Sequence, residues 1–338
     1  MKNFKYNLQL FAGEANVNAT TSSGLSNEMK TYYSDYLIDN AIPKLVHDQF
    51  GQKHPIPKNG GKTIEFRKYS PLPKLTTAIT EGVTPDGQSL TMSVITATVA
   101  QYGGYITLSD VLLLTAIDNN LVQATKLLGA QAGATLDTIT REVLNGGTNV
   151  IYSGGKSARA DLVGGAETGN TYLTVDDIKQ AVRLLKTQNA EQINGSWVGI
   201  IHPDVAYDLT NDPAWKDVKT YSDPSDMYEG EIGKLFGVRF VETTEAKIWA
   251  NAAKDNATQS KRAVYSTLIL GDNAYGTTEI SGGGLEHIVK QLGSAGTGDP
   301  LNQRATAGWK ATKVAERLVE NYMVRIESTS TFNPAANN

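Results

Sequence analysis

The spacing of apolar side chains changes repeatedly along the chain, and each change predicts a different kind of element. From Ser26, a fitting N-cap with Glu28 in the first turn, Met29, Tyr32, Tyr33, Tyr36, Leu37, Leu45 and Val46 recur mainly at intervals of three and four. That spacing predicts a helix, which Pro43 kinks or splits. The tyrosines fit burial in helix packing better than a separate binding surface. The period then drops to two. Thr63-Ile-Glu-Phe-Arg-Lys-Tyr69 alternates and Ser93-Val-Ile-Thr-Ala-Thr-Val99 is β-branched, so both predict strands. The connection between them, residues 70–92, is punctuated by Pro71, Pro73, Gly82, Pro85 and Gly87. It is uncommonly long for a compact domain, so residues 55–105 predict a hairpin arm that reaches away from its own core, the plainer alternative being a loose surface loop.

Helical spacing then returns. Ser109-Asp110 can cap a short helix and Asp118 a longer one over residues 119–145, with Leu121, Leu128, Ala132, Leu136, Ile139 and Val143 as its stripe and Gly146-Gly147 as its stop. At 1.5 Å per residue this is a rod of roughly 40 Å. Gly129, Ala130, Ala132, Gly133 and Ala134 leave room for close packing against its middle, most simply by a β-sheet. After a glycine-rich span over residues 146–169, Thr174 and Asp177 form a capping-box pattern for a helix carrying Ile178, Val182 and Leu185. Trp197-Val-Gly-Ile-Ile201 predicts a buried strand, and Pro203 suits the first turn of the next helix. Residues 238–241, 263–270, 285–292 and 322–327 predict further strands, whereas residues 309–320 fit strand or helix. The inventory is that of an α+β protein without internal repeats.

Composition narrows the function classes. With 338 residues, 40% of them hydrophobic, the chain can bury a large core in one or two domains. Its formal net charge of −4 lacks the basic excess of tight nucleic-acid binders, which argues against tight, sequence-reading DNA recognition. There is no cysteine, hence no disulfide, thiolate nucleophile or Cys-ligated zinc. Residues 1–13 hold too short an apolar patch for a secretory signal, and no apolar run reaches the ~18 residues of a membrane helix, so a cytoplasmic site of synthesis and no membrane partner are expected. Residues 13–27 are small and polar and predict a flexible arm.

No catalytic constellation is assembled locally. Gly60-Gly61-Lys62-Thr63 imitates the end of a phosphate-binding loop, but Ile56 stands where the first glycine belongs and a strand follows where a helix is needed. His47, His54, His202 and His287 make no metal-binding pair. His202-Pro203-Asp204 follows an apolar strand and fits a strand-to-helix turn better than a catalytic dyad. Asp176-Asp177 and the Asp223/Asp226 pair suit solvated structural roles at a helix start and in a loop. Lys62, Arg67, Lys68 and Lys74 on the hairpin fit pairing with Glu81 and Asp86, on the same arm or a neighbour's, better than phosphate binding. No catalytic, cofactor-binding or metal residue is assigned, and no cofactor is expected.

Two blocks carry a family resemblance. His202-Pro-Asp-Val-Ala-Tyr-Asp-Leu, running on to Gly230-Glu-Ile-Gly-Lys-Leu-Phe-Gly-Val-Arg-Phe-Val-Glu-Thr243, and Gly298-Asp-Pro-Leu-Asn-Gln-Arg-Ala-Thr-Ala-Gly-Trp-Lys310 resemble the major capsid proteins of tailed bacteriophages. With residues 110–147 the likeness spans most of residues 60–330. It implies the Johnson fold shared by tailed phages and herpesviruses: an N-terminal arm (1–53), an extended hairpin or E-loop (54–107), a peripheral domain with a spine helix (108–170), an axial α/β domain (171–275), a return to the peripheral domain (276–331) and a C-terminal tail (332–338). It also implies a non-enzymatic protein, assembled in the bacterial cytoplasm as hexamers and pentamers into an icosahedral virion shell around double-stranded DNA. Expected partners are further copies of itself, a portal, a decoration protein, and the genome through weak non-specific contacts. About 25 residues precede Ser26, too few for the built-in scaffolding segment of some family members, so a separate scaffolding protein is expected, or none. Inter-subunit contacts are expected at Arg67, Lys74, Leu75, Ile79, Glu81 and Val83. The rival readings are an encapsulin-like cargo shell, a tail or baseplate module, and a phosphate-ester hydrolase using the Asp and His residues.

Overall fold

The computed structural model describes residues 17–18, 46–84, 86–115, 120–165, 169–215, 233–255, 261–281, 283–294 and 298–334. The expected helix from Ser26, the flexible arm, Asp118 and the Asp223/Asp226 pair lie outside these residues. In chain order the main elements are β1 (Thr63–Tyr69), β2 (Met92–Thr98), β3 (Ala100–Ser109), α1 (Asp110–Thr115), α2 (Asn120–Asn145), β4 (Val150–Tyr152), α3 (Val175–Thr187), β5 (Trp197–Ile201), α4 (Pro203–Asn211), β6 (Lys234–Leu235), β7 (Val238–Glu242), β8 (Ile248–Asp255), β9 (Lys261–Leu270), β10 (Tyr275–Thr278), β11 (Glu286–Lys290), β12 (Arg304–Arg317) and β13 (Met323–Ser328). The α+β class is as expected.

The contacts divide the chain into two units. One comprises residues 1–45, 101–137 and 283–312. Here β3 and β11 flank the first half of β12, with β11 antiparallel from Glu286↔Lys310 to Lys290↔Thr306. Gly103 and Gly308 let β3 and β12 approach closely, since a Cβ at Gly103 would stand 2.7 Å from the Trp309 carbonyl oxygen. The indole Nε1 of Trp309 donates to Gln131 Oε1 at 3.1 Å, which brings this sheet to the small-residue stretch of α2, as the glycines and alanines there predict. Ser109 Oγ accepts from the Leu112 amide at 3.2 Å and so caps α1.

The other unit comprises residues 46–100, 138–282 and 313–338. Its centre is an eight-stranded sheet with the order β4-β13-β9-β5-β7-β6, to which β8 and residues 163–164 add on one side. The period of two in the apolar runs sorts side chains to its two faces. Ala263, Tyr265 and Ile269 of β9, Trp197 and Ile201 of β5, and Val324 and Ile326 of β13 join Ile178, Leu185, Val205 and Leu209 of α3 and α4 in one core. Leu268, Leu270, Val198, Ile200 and Met323 face the opposite way and pack with Leu144 and Tyr275. Strands buried on both faces read as continuous apolar runs, which is why residues 197–201 and 263–270 are legible without alternation.

Several expectations resolve into geometry. The capping box is complete: Thr174 Oγ1 accepts from the Asp177 amide at 3.3 Å and Asp177 Oδ2 from the Thr174 amide at 3.1 Å. Asp177 is not solvated, however. It is buried, and its carboxylate also accepts from the Thr174 and Ser153 hydroxyls, at 2.8 and 2.6 Å, so three donors satisfy it in place of water. Residues 304–317, ambiguous in part between strand and helix, form one fourteen-residue strand. Ala305, Ala307, Trp309, Ala311, Lys313 and Ala315 alternate inward along it, and the ammonium of the buried Lys313 meets Asp48 at 2.8 Å.

Candidate assembly interface

The hairpin is built by β1 and β2, paired antiparallel without a break from Thr63↔Thr98 to Tyr69↔Met92. Gly60 and Gly61 turn the chain into β1, Gly61 at φ +84°, a left-handed conformation that glycine tolerates. The loop-like glycines are therefore a turn into a strand, and no helix N-terminus stands there to hold phosphate. The base is anchored. Ala97 and Val99 are buried, and Phe66 packs edge-on to His54, ring centroids 5.9 Å apart. A cleft of about 580 Å³ lies at this base, lined among others by Gln52, His54, Ile64, Phe66, Lys68 and Leu318.

Past the Ser70–Thr91 hydrogen bond, at 3.0 Å, the ladder stops and the tip carries no regular structure. Leu72, Leu75, Ile79, Val83 and Leu90 are all exposed there, Leu75 by 79% and Ile79 by 74%. Apolar side chains gathered on one segment and left this exposed are the feature of an interaction surface. All six residues expected at subunit contacts, Arg67, Lys74, Leu75, Ile79, Glu81 and Val83, are exposed. Within this copy Arg67 stands 3.8 Å from Glu65, two residues back on the same strand face. Both side chains are more than half exposed, so this pair contributes little.

His202, Asp204 and Asp208 are tied into the fold. His202 Nδ1 accepts from the Asp204 amide at 3.1 Å and caps α4. Asp204 accepts from the Tyr265 hydroxyl at 2.6 Å, and the His202 and Tyr265 rings lie 5.1 Å apart. Burial pushes the Tyr265 phenol up, with the Asp204 hydrogen bond adding to it, so it remains a donor. Burial pushes His202 down, against the opposing pull of Asp204, and burial alone pushes His287 down. Asp208, next along α4, accepts from the Thr331 amide and hydroxyl at 2.9 and 2.5 Å and so ties down the last described strand end. In the second block, Asp299 Oδ2 accepts from the Arg304 amide at 2.8 Å and Asn302 is left-handed, at φ +55°, so the block is the turn that launches β12. Among the described residues no group of three His, Asp or Glu side chains could hold a metal ion, and no helix is long and apolar enough to cross a membrane.

Sequence reasoning missed a buried ionic cluster. Glu327 is fully buried and accepts from Arg159 at 2.6 and 2.8 Å and from Arg325 Nε at 2.9 Å. The Arg159 guanidinium lies 3.6 Å from the centroid of the Trp249 ring, and Arg325 also donates to the Asn145 and Gly147 carbonyls at the end of α2. The Glu327 hydrogen bond raises Arg159, whereas burial lowers Arg325. Only the alternation of charge with apolar residues in β13 hinted at it.

A family model described as phage capsid protein matches residues 113–290, more than half of the chain. The chain belongs to the phage capsid protein family. Solved capsids share its fold over nearly the whole length. The capsid of cyanophage Pam1 superimposes with a TM-score of 0.62 at 14% identity, covering 97% of this chain and 99% of the other. For the capsid of Ralstonia phage GP4 the values are 0.59, 13%, 98% and 100%, and for that of cyanophage P-SCSP1u 0.57, 15%, 94% and 92%. No curated protein matches. The fold implied by the two sequence blocks is thus borne out, and the protein is a structural component of a viral capsid. In this capsid protein the described parts of the signature blocks are the capped α4, the β6–β7 hairpin and the turn that leads into β12.

His202 yields a pH prediction. Because its folded pKa lies below the ordinary 6.5, the unfolded chain takes up a proton in acid that the folded protein refuses. This contribution to stability is present above pH 6.5 and is lost as the pH falls towards the depressed value. Protonation also removes the acceptor that caps α4. His202→Asn, which keeps an acceptor at the cap, is expected to flatten the fall in thermal midpoint below pH 6.5, and an unchanged slope contradicts the assignment.

Proposed function

We propose that this protein is the major subunit of a tailed-phage head, arranged as hexamers and pentamers in an icosahedral shell that encloses double-stranded DNA. The observation that carries the reading is the hairpin: anchored at its base, bare and apolar at its tip, it has the form of an arm whose partner is another copy of the chain. The proposed division follows the boundaries implied by the family likeness, with α2 as the spine, residues 54–107 as the reaching arm and residues 171–275 as the axial domain. Membership of the phage capsid family favours this reading over a cargo shell, and it makes a hydrolase the weakest of the rivals. Assembly in the host cytoplasm, with a portal and a separate scaffolding or decoration protein as partners, belongs to the same proposal.

Heterologous contacts close into rings only when the rotation fits, and rings of two sizes require the same contact to flex. Sedimentation of concentrated protein is expected to show capsomers or shells; a strictly monomeric species at every concentration, with and without scaffolding partner, contradicts the proposal. Because the net charge is −4, free subunits are expected to bind duplex DNA weakly and without sequence preference at physiological salt. Sub-micromolar, sequence-dependent mobility shifts would overturn that expectation.

A further inference from the structure

The exposed face of α3 carries Lys179, Arg183 and Lys186 at helical spacing, lining a shallow cleft of about 660 Å³ whose remaining wall includes Phe236. A basic helix face alone is an ordinary solvated surface, but Phe236 is not ordinary. It is the first central residue of the two-residue turn between β6 and β7, closed by the Leu235↔Val238 pair. Phe236 and Gly237 both have positive φ, +49° and +85°. Such a turn calls for Asn-Gly, because a bulky side chain is strained in the left-handed region. A strained, 41%-exposed aromatic, with the Lys179 ammonium 5.0 Å from its ring centroid, is a residue kept for contact and not for folding. Among the described residues no carboxylate stands within ion-pair distance of Lys179, Arg183 or Lys186.

We propose that this cleft is a socket for the acidic run of a second copy of the chain, residues 221–231. That run holds Asp223, Asp226, Glu229 and Glu231, with Met227 and Tyr228 between them, and no lysine or arginine falls between Lys219 and Lys234. It lies outside the described residues and enters the argument by its sequence. The proposal rests on the shell reading: a heterologous ring needs two unlike, complementary patches on one chain, and a cationic cleft with an aromatic wall complements an acidic run with apolar residues inside it. The run ends two residues before Gly233, and the chain described from there enters β6, whose turn into β7 carries Phe236, so plug and socket are neighbours in sequence, as a contact repeated around a ring allows.

The binding test does not require shells. A fluorescent peptide of residues 221–232 is titrated by anisotropy into the full-length chain carrying Asp223→Asn, Asp226→Asn, Glu229→Gln and Glu231→Gln, so that its own run does not compete. Saturable, salt-weakened binding is expected, lowered at least tenfold by Lys179→Glu, Arg183→Glu and Lys186→Glu together. Phe236→Asn is expected to hold or raise the thermal midpoint while weakening binding severalfold, a combination that a merely structural Phe236 would not give. Absent binding, binding indifferent to these changes, or tighter binding of a single-stranded oligonucleotide than of the peptide overturns the proposal. Since the chain has no cysteine, single-cysteine chains then report who occupies whom. Mixing Lys186→Cys with Glu229→Cys chains is expected to give disulfide-linked dimers across copies, whereas a bond formed only within one doubly substituted chain contradicts occupation by a second copy. If the unaltered protein makes no shells, the head-subunit reading fails and the peptide titration still decides the cleft.

Discussion

Replacing residues 71–90 by an Asn-Gly turn is expected to abolish or cripple shell formation while leaving the thermal unfolding of the subunit nearly unchanged. The join is geometrically natural, because Ser70 and Thr91 are already hydrogen-bonded at the end of the ladder and Asn-Gly suits a two-residue hairpin. The fold loses little: the anchoring contacts are those of Ile64, Phe66, Ala97 and Val99 below the cut, and shortening a loop slightly lowers the closure entropy. The assembly loses the exposed Leu72, Leu75, Ile79, Val83 and Leu90. Each such side chain gains about 1.5–3 kcal/mol on full burial, and a shell repeats that gain at every contact. Calorimetry and sedimentation on the same preparation read the two effects. Unfolding or aggregation of the shortened subunit would place the tip on its own core, and normal shells would make it dispensable.

The largest effect on the subunit itself is expected at Glu327. Glu327→Ala leaves the buried Arg325 and the half-covered Arg159 without their shared carboxylate, and removing one partner of a buried ion pair costs about 3–5 kcal/mol. The exposed pair of Lys254 and Asp161, at 3.3 Å, is the contrast: Lys254→Met is expected to change stability by less than about 1 kcal/mol. Denaturant titrations of both variants should differ clearly in midpoint. Equal, small shifts would show that the Glu327 cluster is already balanced by its desolvation and holds nothing in place.

Most of the fold was written in local patterns. The capping box at Thr174, the Pro203 helix start, the buried runs of β5 and β9 and the hairpin ladder all follow from spacing and cap chemistry. What was not legible depends on partners distant in sequence. β8 is rich in alanine, and a register shift between Trp249 and Ala253, with Asn251 left-handed at φ +56°, interrupts its alternation. The stripe of α2 drifts: Leu144 is fully buried where Val143 is not, and Asp137, Thr140, Arg141 and Asn145 are buried beside it. Those polar residues read as a solvated face until their partners are known: Arg141 donates to the Glu245 carbonyl at 2.8 Å, and Asn145 Oδ1 accepts from the Ser266 hydroxyl at 2.5 Å. The strand nature of residues 309–317 was hidden by alanines that suit either period, and pairing with β10 and β11 decides it. The hairpin was legible as an arm because prolines and glycines forbid a ladder in its tip, whereas its contacts are invisible in one copy of the chain.

The central claim, a shell built by arms laid on neighbouring copies, is tested most directly by electron cryo-microscopy of particles assembled from the full-length protein. Closed shells of hexamers and pentamers are expected, with the segment bearing Leu75, Ile79 and Val83 buried against an adjacent subunit. Shells in which that segment points into solvent, or preparations that yield only single subunits, would contradict the account.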